Sequence, residues 1–167
     1  DAREPLLGDK SVTTTYFYRL FTFRGKICPS AKYIWDRIIP HKHRVFLWIA
    51  LQDRHNTRDN MLKKHWDRLV SHNGCDLCPA AETMNHILLR CKLAQSLWSK
   101  LGMQDLAASS IEAGDLLCSQ QSRARHGTKW HVLFTACAVA LWNAMNDQVF
   151  NESLWNERKL YNNVADL

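Results

Sequence analysis

The sequence predicts an all-α fold, a compact domain built from several helices. Apolar residues recur at the three- and four-residue spacing of helix faces, most regularly from about Lys129 to Phe150. Residues that start or stop helices bound these segments, among them Thr57, Gly102 and Thr128. A hydrophobic content of 46% with seven tryptophans gives the chain enough apolar material for one packed core.

The first forty residues predict two helices. Residues 1–10 show no periodicity and are expected to form a flexible leader, so the single predicted domain spans residues 11–167. The run that starts at Ser11 has the β-branched and aromatic content of a strand but the apolar spacing of a helix, and we favour a helix that ends at Gly25. A short helix is expected from Pro29 to Ile39, where Pro40 interrupts it.

Two further helices are predicted before residue 70. The segment from about Lys42 to Gln52 is so continuously apolar that we expect a central core helix, buried on most sides, with residues 41–44 exposed at its amino end. Asn56 and Thr57 have the character of a turn and a helix cap. They predict a helix from about Arg58 to Trp66.

Three thiols and one imidazole then occur within seventeen positions, in the pattern C-x2-C-x7-H-x4-C formed by Cys75, Cys78, His86 and Cys91. Zinc prefers four such ligands in a tetrahedron, and a Cys-x-x-Cys turn brings two sulfurs to one ion without strain. We expect a helix that starts at Glu82-Thr83 to carry the imidazole in its first turns and the last thiol near its end.

This spacing predicts one zinc ion that staples the helical domain, in a segment spanning residues 72–101. Four protein ligands leave no open position for water or substrate, so the predicted site is structural. His72 is a rival fourth ligand, ranked below His86 because its use would leave another ligand-type residue spare. The other interpretation, buried cysteines beside an unrelated histidine, is disfavoured by the number of ligand-type residues so close together.

The rest of the chain is also predicted to be helical, with carboxyl-terminal helices over residues 128–164. Between residues 103 and 128 we expect one short helix near Leu116 and a mobile basic loop at residues 122–127. The longest helix is predicted over residues 129–150. A last helix is expected to contain Leu154, Trp155 and Leu160.

Cysteine number and hydropathy favour an intracellular protein, nuclear or cytoplasmic. Three cysteines remain once the metal is assigned, and an odd number argues against a disulfide framework. No apolar run is long enough to span a bilayer, and the start has no signal-peptide pattern, so we expect no membrane partner.

The net charge of +6 is concentrated ahead of the cysteines. Residues 32–68 contain nine Lys or Arg against four Asp or Glu. Such a basic segment favours an anionic partner, most simply nucleic acid, although a solvated helical surface explains the charge equally well. The candidate phosphate contacts are Lys42, Arg44, Arg54, Arg58, Lys63, Lys64 and Arg68. Trp66 is a candidate for stacking on an unpaired base.

Several stretches resemble the reverse-transcriptase zinc-binding domain of plant LINE-type non-LTR retrotransposons. The family's apolar helix is matched by Trp35 and by Val45 to Leu51, and its "P-T-R-x-x-L" motif by residues 56–62, with Asn56 in place of Pro. The cysteine segment and Trp98 follow, and residues 141–146 resemble the family's carboxyl-terminal motif, with Met145 in place of Arg.

This resemblance implies a module that follows a reverse transcriptase and handles element RNA or target DNA, or a stand-alone gene derived from one. Our first hypothesis is therefore a zinc-stabilised nucleic-acid-binding module, with RNA or single-stranded nucleic acid favoured. The alternative is a protein-interaction scaffold in which zinc is purely structural. We do not expect an enzyme, because no motif places a nucleophile and a base together.

Overall fold

The computed structural model describes residues 28–66, 68–103 and 110–151, together with residues 14, 158, 160, 162 and 164. The predicted leader, the helix from Ser11 to Gly25, and Leu154 and Trp155 of the last helix lie outside the described residues. The described elements are α1 (Ala31–Ile34), α2 (His41–Leu51), α3 (Arg58–Lys63), a π-helix (His86–Arg90), α4 (Lys92–Lys100), α5 (Ala113–Cys118), α6 (Gln120–His126) and α7 (Trp130–Asn151).

The fold is rich in helix, which agrees with the predicted all-α class. In the part of the chain that the structure describes, β-structure is limited to one isolated antiparallel bridge between Gly74 and Ala81. None of the described helices combines the length and the hydropathy that a bilayer span requires.

The central helix is α7, not the Lys42–Gln52 segment that the sequence favoured. Eleven of the residues in α7 are buried, most of them consecutive from Phe134 to Leu141, so neighbours surround this helix. In α2 only His43, Leu47 and Ala50 are buried. The prediction of burial on most sides was wrong, because α2 packs mainly one face against α7 and leaves its other apolar side chains half-buried. His43, which we expected to be exposed, belongs to that buried face.

An aromatic cluster of Trp98, Trp130 and Phe134 lies at the centre of the core, where all three side chains are buried. The ring centroids of Trp98 and Phe134 are 5.8 Å apart, and those of Trp98 and Trp130 are 6.0 Å apart. Both indoles also donate hydrogen bonds, from Nε1 of Trp98 to the Leu88 carbonyl at 2.7 Å and from Nε1 of Trp130 to the Leu116 carbonyl at 3.2 Å. Burial of these large rings is therefore achieved with their polar atoms satisfied.

Several helices begin or end at residues other than those predicted. The helix expected over Pro29–Ile39 is only α1, and α3 ends at Lys63 rather than Trp66, because Lys64 caps it and His65 takes a left-handed φ of 58°. The cap itself is confirmed, since the Thr57 side chain accepts a hydrogen bond from the Asn60 amide.

The predicted basic loop at residues 122–127 was wrong. These residues lie almost entirely within α6, whose first turn is capped by the Ser119 side chain, an acceptor for the Ser122 amide. Gly127, with a φ of 85°, follows the helix. The Arg125 guanidinium donates to the Gly102 carbonyl at 2.6 Å, so α6 is held to the end of α4.

Candidate metal centre

The four predicted ligands meet at one point. The ligand atoms of Cys75, Cys78, His86 and Cys91 all lie within 4.8 Å of one another. The Sγ atom of Cys91 is 3.9 Å from both other sulfurs, and Nε2 of His86 is 3.1 Å from Sγ of Cys78. Zinc–sulfur bonds of about 2.3 Å in a tetrahedron place sulfurs about 3.8 Å apart, so this donor set fits the ion.

Cys75 and Cys78 are presented by a short knuckle, which we define as residues 74–81. The antiparallel bridge between Gly74 and Ala81 closes its base, and the Cys75 amide donates to the Ala80 carbonyl at 2.8 Å. At the tip, the Leu77 amide lies 3.5 Å from Sγ of Cys75. Backbone bonds therefore help to aim both thiols to the same side, where Cys75 joins the edge of the apolar core.

His86 and Cys91 come from the π-helix and its end. Thr83 begins this segment as predicted, because its hydroxyl accepts from the His86 amide at 3.1 Å. In an α-helix, residues five apart point about 140° away from each other. Here the Cys91 amide donates to the His86 carbonyl at 2.7 Å, and this i to i+5 bond wraps the five residues into roughly one full turn. The two ligands thereby face the same ion.

We expected Cys91 to lie near the end of the helix that carries His86, but it lies just outside that helix. Its backbone is extended, with φ −60° and ψ 146°, and it separates the π-helix from α4. His72, the rival fourth ligand, is exposed, and its Nδ1 atom accepts from the Gly74 amide at 3.1 Å. The structure therefore brings His86, and not His72, together with the three cysteines.

Hydrogen bonding among the thiols polarises the cluster. The bond from Cys91 lowers the pKa of Cys75 to about 3, and the same bond, together with burial, raises the pKa of Cys91. Burial also raises the pKa of Cys78. Cysteine sulfurs are soft ligands that bind a zinc-type cation as thiolates, so the cluster suits such an ion.

Arg58 holds the knuckle, a role that the sequence did not reveal. Its guanidinium donates two hydrogen bonds of 2.6 Å to the Asp76 carboxylate and one of 2.8 Å to the Gly74 carbonyl. The bonds to Asp76 raise the pKa of Arg58. Its backbone amide donates to Oε1 of Glu82 at 3.1 Å, and burial raises the pKa of that carboxyl group. Arg58 thus joins α3 to both sides of the knuckle.

This placement removes Arg58 from the candidate phosphate contacts, because its donors are already used inside the protein. The sequence offered one signal for this role of Arg58, which is Asp76. This carboxylate lies between two ligand cysteines, where a cation would pair with it. Local spacing does not say which cation that is, since the two residues are eighteen positions apart.

The remaining predicted contacts do not form one surface. Arg44 lies near Asp36, whose pKa is lowered by the Ile38 amide, by His131 and by Arg44 itself. His131 is close to the start of α7, and its Nε2 atom is 2.8 Å from the Asp36 carboxylate. Lys63, Lys64 and Arg68 are close in sequence to Leu69, which lines one pocket together with Phe150. These three cations therefore lie near the other end of α7. The predicted basic segment is therefore split between two ends of a helix about 30 Å long.

The group near the knuckle combines charge with an exposed ring. The Lys64 ammonium bonds to Oδ1 of Asn56 at 2.8 Å and lies 5.1 Å above the Trp66 ring, which is 41% exposed. Lys63 pairs with Asp59 at 2.6 Å. Arg68, like Lys42 and Arg54, is exposed and forms no ion pair with another described residue.

Comparison with known families finds one match. The family model described as "zinc-binding in reverse transcriptase" matches residues 12–98, slightly more than half of the chain. The matched stretch includes the four clustered residues and ends at Trp98, the donor to the ligand helix. No curated protein and no solved structure matches the chain significantly.

Proposed function

The chain belongs to the family of reverse-transcriptase zinc-binding domains, and from this premise we propose that it is a zinc-stabilised module that binds nucleic acid, with RNA or single-stranded nucleic acid favoured. One zinc ion, bound by the Cys/His cluster, has a structural role, because four protein ligands leave no position for substrate. The ion would hold the knuckle and the π-helix together through its bonds to ligands from both.

The observation that carries this proposal is the pairing of Lys64 with the exposed Trp66 at the end of α3. We define the Trp66 loop as residues 64–73, the connection from the end of α3 to the knuckle. Arg58 clamps α3 to the knuckle, so the metal centre positions both ends of the loop. Lys64 lies over the Trp66 ring, and the exposed part of that ring is available to a base. Arg68 offers its guanidinium to the adjoining phosphates.

A contact of this kind favours single strands. Every unpaired base has a face that stacks on an aromatic ring, whereas bases within a duplex are already stacked. The proposed host process is that of the LINE-type element that the motifs resemble, or of a gene derived from it, inside the cell. We propose no catalytic role.

The test is fluorescence anisotropy of the zinc-loaded protein with labelled single-stranded RNA, single-stranded DNA and duplex over a salt series. We expect Kd to rise steeply with salt, and Lys64→Glu or Arg68→Glu to weaken single-strand binding about tenfold. Trp66→Ala should weaken it by a similar factor, since stacking contributes about 1–3 kcal/mol per base.

Lys129→Glu is the matched control, because it makes the same charge change about 30 Å away at the other end of α7. It should lower affinity far less than Arg68→Glu. Equal effects of the two variants would show that only net charge matters, and the proposed contact would be rejected.

The alternative function, a protein-interaction scaffold, is favoured by one observation. Leu69, Val149 and Phe150 are large apolar side chains that remain exposed near the carboxyl end of α7. Binding through them should be insensitive to salt, which separates the two functions experimentally.

A further inference from the structure

A pocket of about 250 Å³ opens between α3, the Leu69–Val70 turn and the carboxyl-terminal half of α7. Its lining includes none of the four metal ligands and neither Lys64 nor Trp66. Its walls are mainly apolar and include two unbranched, adaptable methionines. The apolar lining includes Met61, Leu69, Ile87, Trp142, Met145 and Phe150.

One polar group in the lining lacks a partner. Glu82 is buried, and its Oε1 atom accepts from the Arg58 amide. Its Oε2 atom is also buried and has no hydrogen-bond partner among the described residues, since Nε of Arg58 is 3.7 Å away. A buried acceptor without a donor is costly, so a ligand that supplies one donor at this point gains affinity from it.

The nearby charges select the kind of donor. The Arg58 guanidinium already lies beside the Glu82 carboxylate, so a cationic ligand would be repelled by Arg58 while gaining little from a partly neutralised acid. A neutral N–H group avoids this repulsion. Aromatic rings also make favourable contacts with methionine sulfur, and Met61 and Met145 both line the pocket.

The size of the site indicates a single side chain on a larger partner. Pockets for drug-sized molecules measure roughly 300–1,000 Å³, so this pocket is filled by one large side chain. At the rim of the pocket, Leu69 is 72% exposed and Phe150 is 78% exposed. These rim residues extend the apolar surface past what a free small molecule would cover, and a polypeptide flanking the inserted side chain would bury them.

We propose that this pocket is a docking site for a tryptophan side chain of a partner polypeptide, whose indole N–H donates to the Glu82 carboxylate while the flanking residues cover Leu69 and Phe150. Because Oε2 of Glu82 is buried, access of the ring requires side chains of the lining to move, which unbranched methionines permit. The proposal is independent of nucleic-acid binding, because it uses neither Trp66 nor the exposed cations.

The test uses the zinc-loaded chain labelled with ¹³C at the methyl groups of its four methionines. The probe is N-acetyl-tryptophanamide, followed by NMR, with N-acetyl-1-methyltryptophanamide as the matched control that lacks the N–H. We expect the Met61 and Met145 signals to shift while those of Met84 and Met103 do not. Removing the N–H should weaken binding about tenfold.

Two variants complete the design. Leu69→Gln, on the rim, should weaken binding of the probe, whereas Ile38→Gln changes another exposed apolar residue outside the pocket and should leave binding unchanged. Glu82→Gln should remove the preference for the N–H form. If neither methionine signal responds, or if both probes bind equally to the unaltered chain, the proposal is overturned, whatever the outcome of the anisotropy experiment.

Discussion

The knuckle and the aromatic core represent two ways of holding a chain together. In the knuckle, order comes from thiols, backbone bonds and the Arg58 clamp, and its Asp76 and Pro79 are exposed. In the core, Trp98, Trp130 and Phe134 are fully buried and pack against one another. The core therefore has its own apolar driving force, whereas the knuckle depends on polar geometry and, in our proposal, on an ion.

The two regions are joined through the backbone of the π-helix. Trp98 belongs to the core, but its Nε1 atom bonds to Leu88, which lies between the ligands His86 and Cys91. A change at Trp98 therefore acts directly on the ligand segment, whereas Trp130 bonds to Leu116 and reaches that segment only through packing. This difference makes the comparison testable.

The largest effect is expected from exchanging one buried cysteine in each region. Cys91→Ser should abolish stoichiometric zinc binding and lower the free energy of unfolding by about 3 kcal/mol or more, because structural zinc sites supply folding energy directly. Cys137→Ser, in α7, should retain zinc and lose about 1 kcal/mol by burying a hydroxyl group. Zinc content by mass spectrometry and chemical unfolding measure both. Full zinc content in Cys91→Ser would refute the ligand assignment.

The next largest effect concerns two cations on α3. Arg58→Lys keeps the charge but loses the two-pronged bond to Asp76, and we expect a loss of about 2–3 kcal/mol because the Asp76 carboxylate and the Gly74 carbonyl then lack matched donors. Lys63→Ala breaks only the Asp59 pair, in which the lysine side chain is 62% exposed, and should cost about 0.5 kcal/mol or less. Equal losses in urea unfolding would contradict the role of Arg58 as a clamp.

A matched pair of tryptophan substitutions tests the link between the regions. Trp98→Phe and Trp130→Phe each remove an indole donor from a buried carbonyl, so each should cost about 1–3 kcal/mol. Only Trp98→Phe should also weaken zinc affinity, measured by competition with a chelator, because only Leu88 lies in the ligand helix. An equal change in zinc affinity for both variants would mean that the core acts on the centre through general stability alone.

The smallest effect is a pH dependence that arises at His55, in the connection between α2 and α3. Burial lowers the pKa of His55, whose ring lies between those of Phe46 and Trp142 at 4.8 Å from each. Its unfolded value is about 6.5, so the unfolded chain takes up a proton first as the pH falls, and stability is lost below that value. His55→Phe should flatten the decline between pH 6.5 and 5.5, provided that zinc content is constant. An unchanged slope would assign the acid lability elsewhere.

Local patterns in the sequence were sufficient for much of the fold and for the centre of the site. Ligand spacing identified all four clustered residues, Thr57 was recognised as a cap, and periodicity located α7 within one residue at each end. These features depend on neighbours a few positions apart, which a sequence displays directly.

Contacts between distant residues required the folded chain. Three features follow from packing against α7 and the knuckle. They are the pairing of Arg58 with Asp76, the π-turn that aligns His86 with Cys91, and the separation of Arg44 from Arg68. The sequence establishes which chemical groups are present and how they are spaced. Which cation becomes a clamp and which remains exposed depends on long-range packing, because burial and a matched partner decide whether a charge is used inside the protein or offered to a ligand.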